Sequence, residues 1–120
     1  MQFDYFSVHD VPPWTCFDEV HKNTVEQFVA CDQMGFDSIW LAEHHVGRYG
    51  TSGAPSVILA NTAGRTKRIR LGSAVSVLPL NYPIRVAEEY ATVDLLSDGR
   101  LDFGIGRGYT PIEFSAYGQK

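Results

Sequence analysis

Phe36-Asp37-Ser38-Ile39-Trp40-Leu41-Ala42-Glu43-His44-His45-Val46-Gly47-Arg48-Tyr49-Gly50 is an apolar run that breaks off in ionisable residues and then in a glycine-bearing loop. The pattern is that of a buried strand opening into a functional loop. In parallel barrels chemistry gathers at such C-terminal strand ends. Two other stretches are unusual in the same way. Ser73-Ala74-Val75 and Gly104-Ile105-Gly106-Arg107-Gly108 put small residues where a core strand would carry bulk.

Outward from this stretch, strand and helix signals alternate. Met1 to Ser7, with Phe3, Tyr5 and Phe6, predicts a first strand, and Pro12-Pro13 forces a loop after it. From Asp18, Val20, Val25, Phe28, Val29 and Met34 keep helical spacing, and Gly35 stands where a left-handed cap is preferred. Ser38 to Glu43 is the second strand, and Pro55 opens a second helix that runs to about Gly64. Ile69 to Leu78 follows as the third strand. Pro83 begins a third helix whose apolar face combines Ile84, Val86, Ala87, Tyr90, Ala91, Val93 and Leu95. Leu101 to Gly106 is the fourth strand, and Thr110-Pro111-Ile112-Glu113 reads as a capping box that opens a fourth helix.

Strands recur roughly every thirty-odd residues, the length of a βαβ unit. The fold class expected is therefore α/β, a (β/α)8 TIM barrel. A barrel of eight units needs about 250 residues, so residues 1–120 are expected to be the N-terminal half of one such domain. Half a barrel has two open sheet edges, so this stretch by itself is expected to be poorly folded or self-associating, and inactive.

Alternation along the strands divides their faces. Leu101, Phe103 and Ile105 oppose Asp102, Gly104 and Gly106; Ile69, Leu71, Val75 and Val77 oppose Arg70, Gly72, Ala74 and Ser76. The bulky sets are expected on the outer helices and the small sets in the lumen, where they leave either a slot for a flat ligand or the bends of a barrel wall. By the same parity His44 joins Ser38, Trp40 and Ala42 on the lumen side, at the pocket mouth, where a histidine suits proton transfer near neutral pH.

Composition narrows the function classes. A net charge of −4 with no basic run argues against nucleic acid, and no stretch has the length or apolarity of a membrane span. Cys16 and Cys31 lack metal-type and redox-type spacing, which fits reduced thiols in the cytoplasm. His44 and His45 are adjacent on a strand and point to opposite faces, so they do not form a metal pair. Gly104-Ile105-Gly106-Arg107-Gly108 is followed by Tyr109, which breaks a dinucleotide fingerprint. What is left is a glycine-rich turn with one arginine before a helix, which reads either as an anion site or as a tight turn with a solvated arginine. Glu88 and Glu89 diverge on their helix and suit a solvated face or a subunit contact. No Ser lies in a strained nucleophile elbow.

Phe36 to His45, Leu71-Gly72-Ser73-Ala74-Val75 with Val77-Leu78-Pro79, Pro83-Ile84-Arg85-Val86-Ala87-Glu88-Glu89 and Gly99 to Gly108 together resemble the luciferase-like flavin monooxygenases, in particular the alkanal monooxygenase alpha group. The resemblance covers nearly the whole chain. It implies an enzyme that uses reduced FMN and O2 to oxidise an aldehyde or similar small organic substrate. A separate flavin reductase supplies the reduced FMN, and two subunits pack as a homo- or heterodimer. By position, His44 matches the family's catalytic histidine, and Ala74-Val75 falls at the non-proline cis peptide beneath the flavin ring. Arg107 matches a phosphate-binding arginine, assisted by the amides of Gly108 and Tyr109. Gly106 replaces the cysteine of light-emitting alpha subunits, which enlarges the slot and argues against light emission. Two alternatives go with the same barrel: a deazaflavin (F420)-dependent oxidoreductase, and a non-catalytic flavin-binding paralogue. Retention of His44 speaks against the second.

Overall fold

The computed structural model describes residues 1–119. The chain runs β1 (Asp4–Ser7), α1 (Phe17–Met34), β2 (Ser38–Leu41), α2 (Pro55–Ala63), β3 (Arg70–Val77), a 3-10 turn (Leu78–Leu80), α3 (Pro83–Leu96), β4 (Leu101–Gly106) and α4 (Pro111–Ala116). The four strands form one parallel sheet in the order β1-β2-β3-β4, with each crossover made by a helix. This is an α/β half-barrel. Ile39, Leu41, Ile69 and Leu71 are fully buried on the helix side of the sheet, against Phe28 of α1, Leu59 of α2 and Val93 of α3. That shared face fixes the register, since a slip of one residue would turn every one of these side chains out of the core.

The helix boundaries follow local chemistry. Gly35 closes α1 at φ 91°, in the left-handed region, and its amide and that of Phe36 return to Cys31 and Asp32 carbonyls. Pro stands in the first turn of α2, α3 and α4, where its missing amide hydrogen is not needed. Asp32 then joins α1 to the start of β3. Burial opposes its ionisation, but hydrogen bonds from the amides of Ile69, Lys67 and Arg68 prevail and hold its carboxyl below the usual range.

Three expectations need correcting. Alternation on β3 does not persist to its end: a register shift lies between Ser73 and Ser76, around the cis Ala74–Val75 peptide. Beyond it Val75 packs toward Gly104 and Gly106, on the lumen side, and Ser76 is buried. The glycine row is therefore not an open slot. The Trp40 ring lies where a Cβ on Gly72 would be, and the Val75 side chain lies where one on Gly106 would be. On α3 the burial is narrower than its apolar positions suggest. Val86, Tyr90 and Val93 face the core, while Ile84, Ala87, Ala91 and Leu95 form an exposed stripe.

Arg100, at the start of β4, ties the helix layer to the sheet. Its guanidinium donates to Ala63 O, Thr66 O, Ile69 O, Ser97 O and the Thr66 hydroxyl at 2.7–3.2 Å, thereby capping the carbonyl end of α2. Hydrogen bonds to charged groups contribute roughly 1.5–3 kcal/mol each and do not add fully, so Arg100→Ala should destabilise the fold by about 2–4 kcal/mol. Chemical denaturation of the two proteins reads this directly; a midpoint that does not move would show the network to be redundant.

Candidate active site

The loops after β1 and β2 are stitched together before any functional group is placed. Val11 N donates to Arg48 O, Thr51 N to His9 O, and Gly50 N to the Asp10 carboxylate. Arg48 fastens the far side through the carbonyls of Val11, Pro12 and Thr15, with Phe17 under its guanidinium. Gly50 has φ 60° and packs on the His44 ring so closely that a Cβ would collide with it. Glycine is required there on both counts.

His44 and His45 each meet a different buried carboxylate. His44 Nδ1 lies 2.9 Å from Glu113 Oε1, and the His45 amide donates to the same oxygen at 3.0 Å. Glu113 comes from α4, so the expected capping box is not what the structure contains. Thr110 makes no side-chain cap, and the Glu113 carboxylate turns away from its own helix to the end of β2. The reason is burial. Glu113 is 2% exposed, and the imidazole and amide are the partners that a carboxylate buried there requires.

His45 belongs to a second group. Its Nε2 lies 3.0 Å from Glu43 Oε1, and the Tyr117 hydroxyl lies 2.8 Å from its Nδ1. Glu43 also accepts from the Asn81 side chain at 2.8 Å and from the Val77 amide at 2.9 Å. Burial works against the ionised form of Glu43, yet the bonds from His45, Val77 and Asn81 outweigh it and keep the carboxyl below its ordinary range. An ionised Glu43 only accepts, so His45 carries its proton on Nε2 and receives the tyrosine hydroxyl on Nδ1. This group fastens the ends of β2 and β3 to each other. Glu43, Asn81 and Tyr117 have no role in the sequence reading, and Glu113 has only that of a helix cap. The one available signal was a carboxylate, Glu43, at the end of an apolar strand.

Ala42, Glu43, His44, Ala74, Val75, Val77, Arg107, Gly108, Tyr109, Thr110 and Glu113 line one cleft of about 360 Å³ at the C-terminal ends of the strands. The structure thus brings His44, Ala74, Val75, Arg107, Gly108 and Tyr109 together, with Gly106 beneath Val75. Arg107 is exposed and makes no hydrogen bond or ion pair among the described residues. Every other arginine of the chain is engaged, in the bonds of Arg48, Arg65, Arg68, Arg70, Arg85 and Arg100. A cleft with a free guanidinium at a glycine-bearing turn and small apolar residues on its floor fits a flat ligand that carries an anionic tail.

His9 sits beside this site and makes the fold sensitive to acid. It is buried, neither ring nitrogen has a partner among the described residues, and its ring meets His21 edge-on at 4.3 Å. Burial first, then the neighbouring His21, lower its pKa to about 4, against a smaller opposing effect of Asp10. A histidine that ionises less readily when folded stabilises the fold fully above its unfolded value, about 6.5, and loses that contribution as pH falls toward 4. A shift of this size corresponds to a loss on the order of 3 kcal/mol across the window. Denaturation midpoints at several pH values between 4 and 7.5 should fall with acid, and His9→Asn should flatten the slope; equal slopes would place the sensitivity elsewhere.

A parallel half-barrel that collects a histidine–carboxylate pair and an arginine at its strand ends has the layout of the α/β-barrel class, in which ligand sites form at that end of the sheet. The chain belongs to the luciferase-like monooxygenase family, whose model matches residues 1–120. It is 39% identical over 118 residues to the alkanal monooxygenase alpha chain of the Kryptophanaron alfredi symbiont, covering 98% of this chain and 33% of that protein. Among solved structures, monooxygenase RslO1 from Streptomyces bottropensis superposes with a TM-score of 0.93 at 28% identity, over 100% of this chain and 37% of that one. The fold is also that of the oxygenating constituent of 3,6-diketocamphane monooxygenase from Pseudomonas putida, solved in complex with FMN (TM-score 0.93, 23% identity, 98% and 32% coverage). The chain spans about a quarter to a third of the length of the curated relatives it matches.

Proposed function

We propose that residues 1–120 are the N-terminal half of a single luciferase-like barrel that binds reduced FMN and, with O2, oxidises an aldehyde or similar small organic molecule. One observation carries this reading: His44, tied to a buried carboxylate, shares a cleft with an arginine that has no partner of its own. The residues fit the cofactor. Ala74 and Val75 offer a small apolar surface for a flat ring, and Arg107, with the amides of Gly108 and Tyr109, offers an anion site for the phosphate. Bound there, reduced flavin would supply the electrons that activate oxygen. The protein's own part is to hold the ring, bind the phosphate and move a proton at His44.

A separate reductase would provide the reduced cofactor, and two subunits would associate. The exposed stripe Ile84, Ala87, Ala91 and Leu95 on α3 is compatible with such packing. Cys16 and Cys31 are unpaired, which agrees with a cytoplasmic location. The test is to supply the full-length protein with reduced FMN, a reductase, O2 and a series of aldehydes, and to record the spectrum of any cofactor that co-purifies. Product formation that depends on FMN supports the reading. A deazaflavin spectrum, with hydride transfer and no oxygen uptake, overturns it in favour of the F420 alternative.

A further inference from the structure

We infer that Glu113 is the positioning residue for His44: its buried carboxylate holds the proton on Nδ1 and leaves Nε2 as the atom that exchanges protons with a ligand in the cleft. The inference rests on the reading of His44 as the proton-transfer group, and it follows from a count of hydrogens. The His45 backbone amide can only donate, and it reaches Glu113 Oε1 at 3.0 Å, so that oxygen is an acceptor. His44 Nδ1 lies 2.9 Å from the same oxygen, and a carboxylate oxygen with no hydrogen of its own accepts from the ring as well, so Nδ1 is the donor. This holds whatever the state of the second carboxylate oxygen. A neutral imidazole has one ring hydrogen, so the lone pair is on Nε2.

The rest of the ring's surroundings point the same way. Nε2 has no partner among the described residues and is not sealed from solvent, whereas Nδ1 is turned to a side chain that is 3% exposed. The ring cannot turn over freely. Gly50 packs directly on it, and the Tyr49 ring lies 5.4 Å away, centroid to centroid. Glu43 cannot substitute for Glu113, because its oxygens are already taken by His45, Val77 and Asn81. Glu113 arrives from sixty-nine residues further along the chain and, among the described residues, its carboxylate has no partner other than this end of β2. Carboxylates that fix a histidine's tautomer in this manner govern its rate of proton transfer without touching substrate.

The experiment uses the full-length protein with ¹⁵N-labelled histidine, read by NMR without flavin, alongside steady-state kinetics. In the wild type His44 should show a protonated Nδ1 and a bare Nε2. Glu113→Ala should spread His44 over both tautomers and lower turnover about ten- to a hundredfold, with reduced-flavin affinity within a few-fold. Glu113→Gln keeps an acceptor oxygen and should restore the Nδ1–H tautomer and part of the turnover. A wild-type His44 protonated on Nε2 overturns the proposal even if the alanine variant does not fold. So does an unchanged tautomer in a folded Glu113→Ala. A correct tautomer combined with full activity of His44→Ala would instead sink the catalytic reading of His44 and leave the positioning intact.

Discussion

His44→Ala, in the full-length enzyme, is expected to lower turnover by about 10²–10⁴ while leaving reduced-flavin affinity within a few-fold. The range is what a positioned general acid or base typically contributes, and the structure gives His44 the attributes of one. It stands just past the C-terminal end of a core strand and lines the cleft, with one nitrogen held by Glu113 and the other without a partner among the described residues. The loss should sit in turnover because the phosphate is assigned to Arg107 and the ring surface to Ala74 and Val75, which leaves His44 the proton transfer. Turnover with saturating aldehyde and direct titration of reduced FMN separate the two. An unchanged turnover number would remove His44 from the chemistry. A parallel collapse of flavin affinity would make it a binding residue.

Arg107→Ala should weaken FMN about ten- to a hundredfold, since a charge-assisted hydrogen bond is worth roughly 1.5–3 kcal/mol and each 1.4 kcal/mol is tenfold in affinity. Riboflavin, which lacks the phosphate, should bind wild type and variant about equally. The expectation starts from the unsatisfied state of Arg107. A guanidinium left exposed beside two buried carboxylates would ordinarily pair with one of them, yet both Glu43 and Glu113 are already committed to the histidines and amides around them. The guanidinium donors of Arg107 are therefore left free for a phosphate. Gly108, at φ 68°, brings the backbone close to Val77 and Phe114, where a Cβ would crowd both. If the substitution weakens riboflavin as much as FMN, Arg107 is structural and the phosphate lies elsewhere.

Much of this protein is determined by local sequence. The spacing of Val25 and Phe28 sets α1, the glycine at 35 ends it, proline opens three helices, and the alternation of Ile39 and Leu41 fixes which face of β2 meets the helices. These are effects of a few neighbouring residues, and they repeat often enough along the chain to define a parallel α/β sheet. The residues that surround His44 were not legible in this way. Glu113 looked like its own helix's cap, because the local offer of an amide is visible in sequence and the better offer of a buried imidazole is not. Val75 looked like a core residue because strict alternation cannot anticipate a register shift, which is set by how β3 meets β4. The Gly72 and Gly106 positions read as empty space, but space is a property of what lies across from it, here Trp40 and Val75. Sequence determined which elements form and which strand ends are polar. Only tertiary structure decided which carboxylate each histidine holds, because a buried charge takes whichever partner the fold brings within hydrogen-bonding distance.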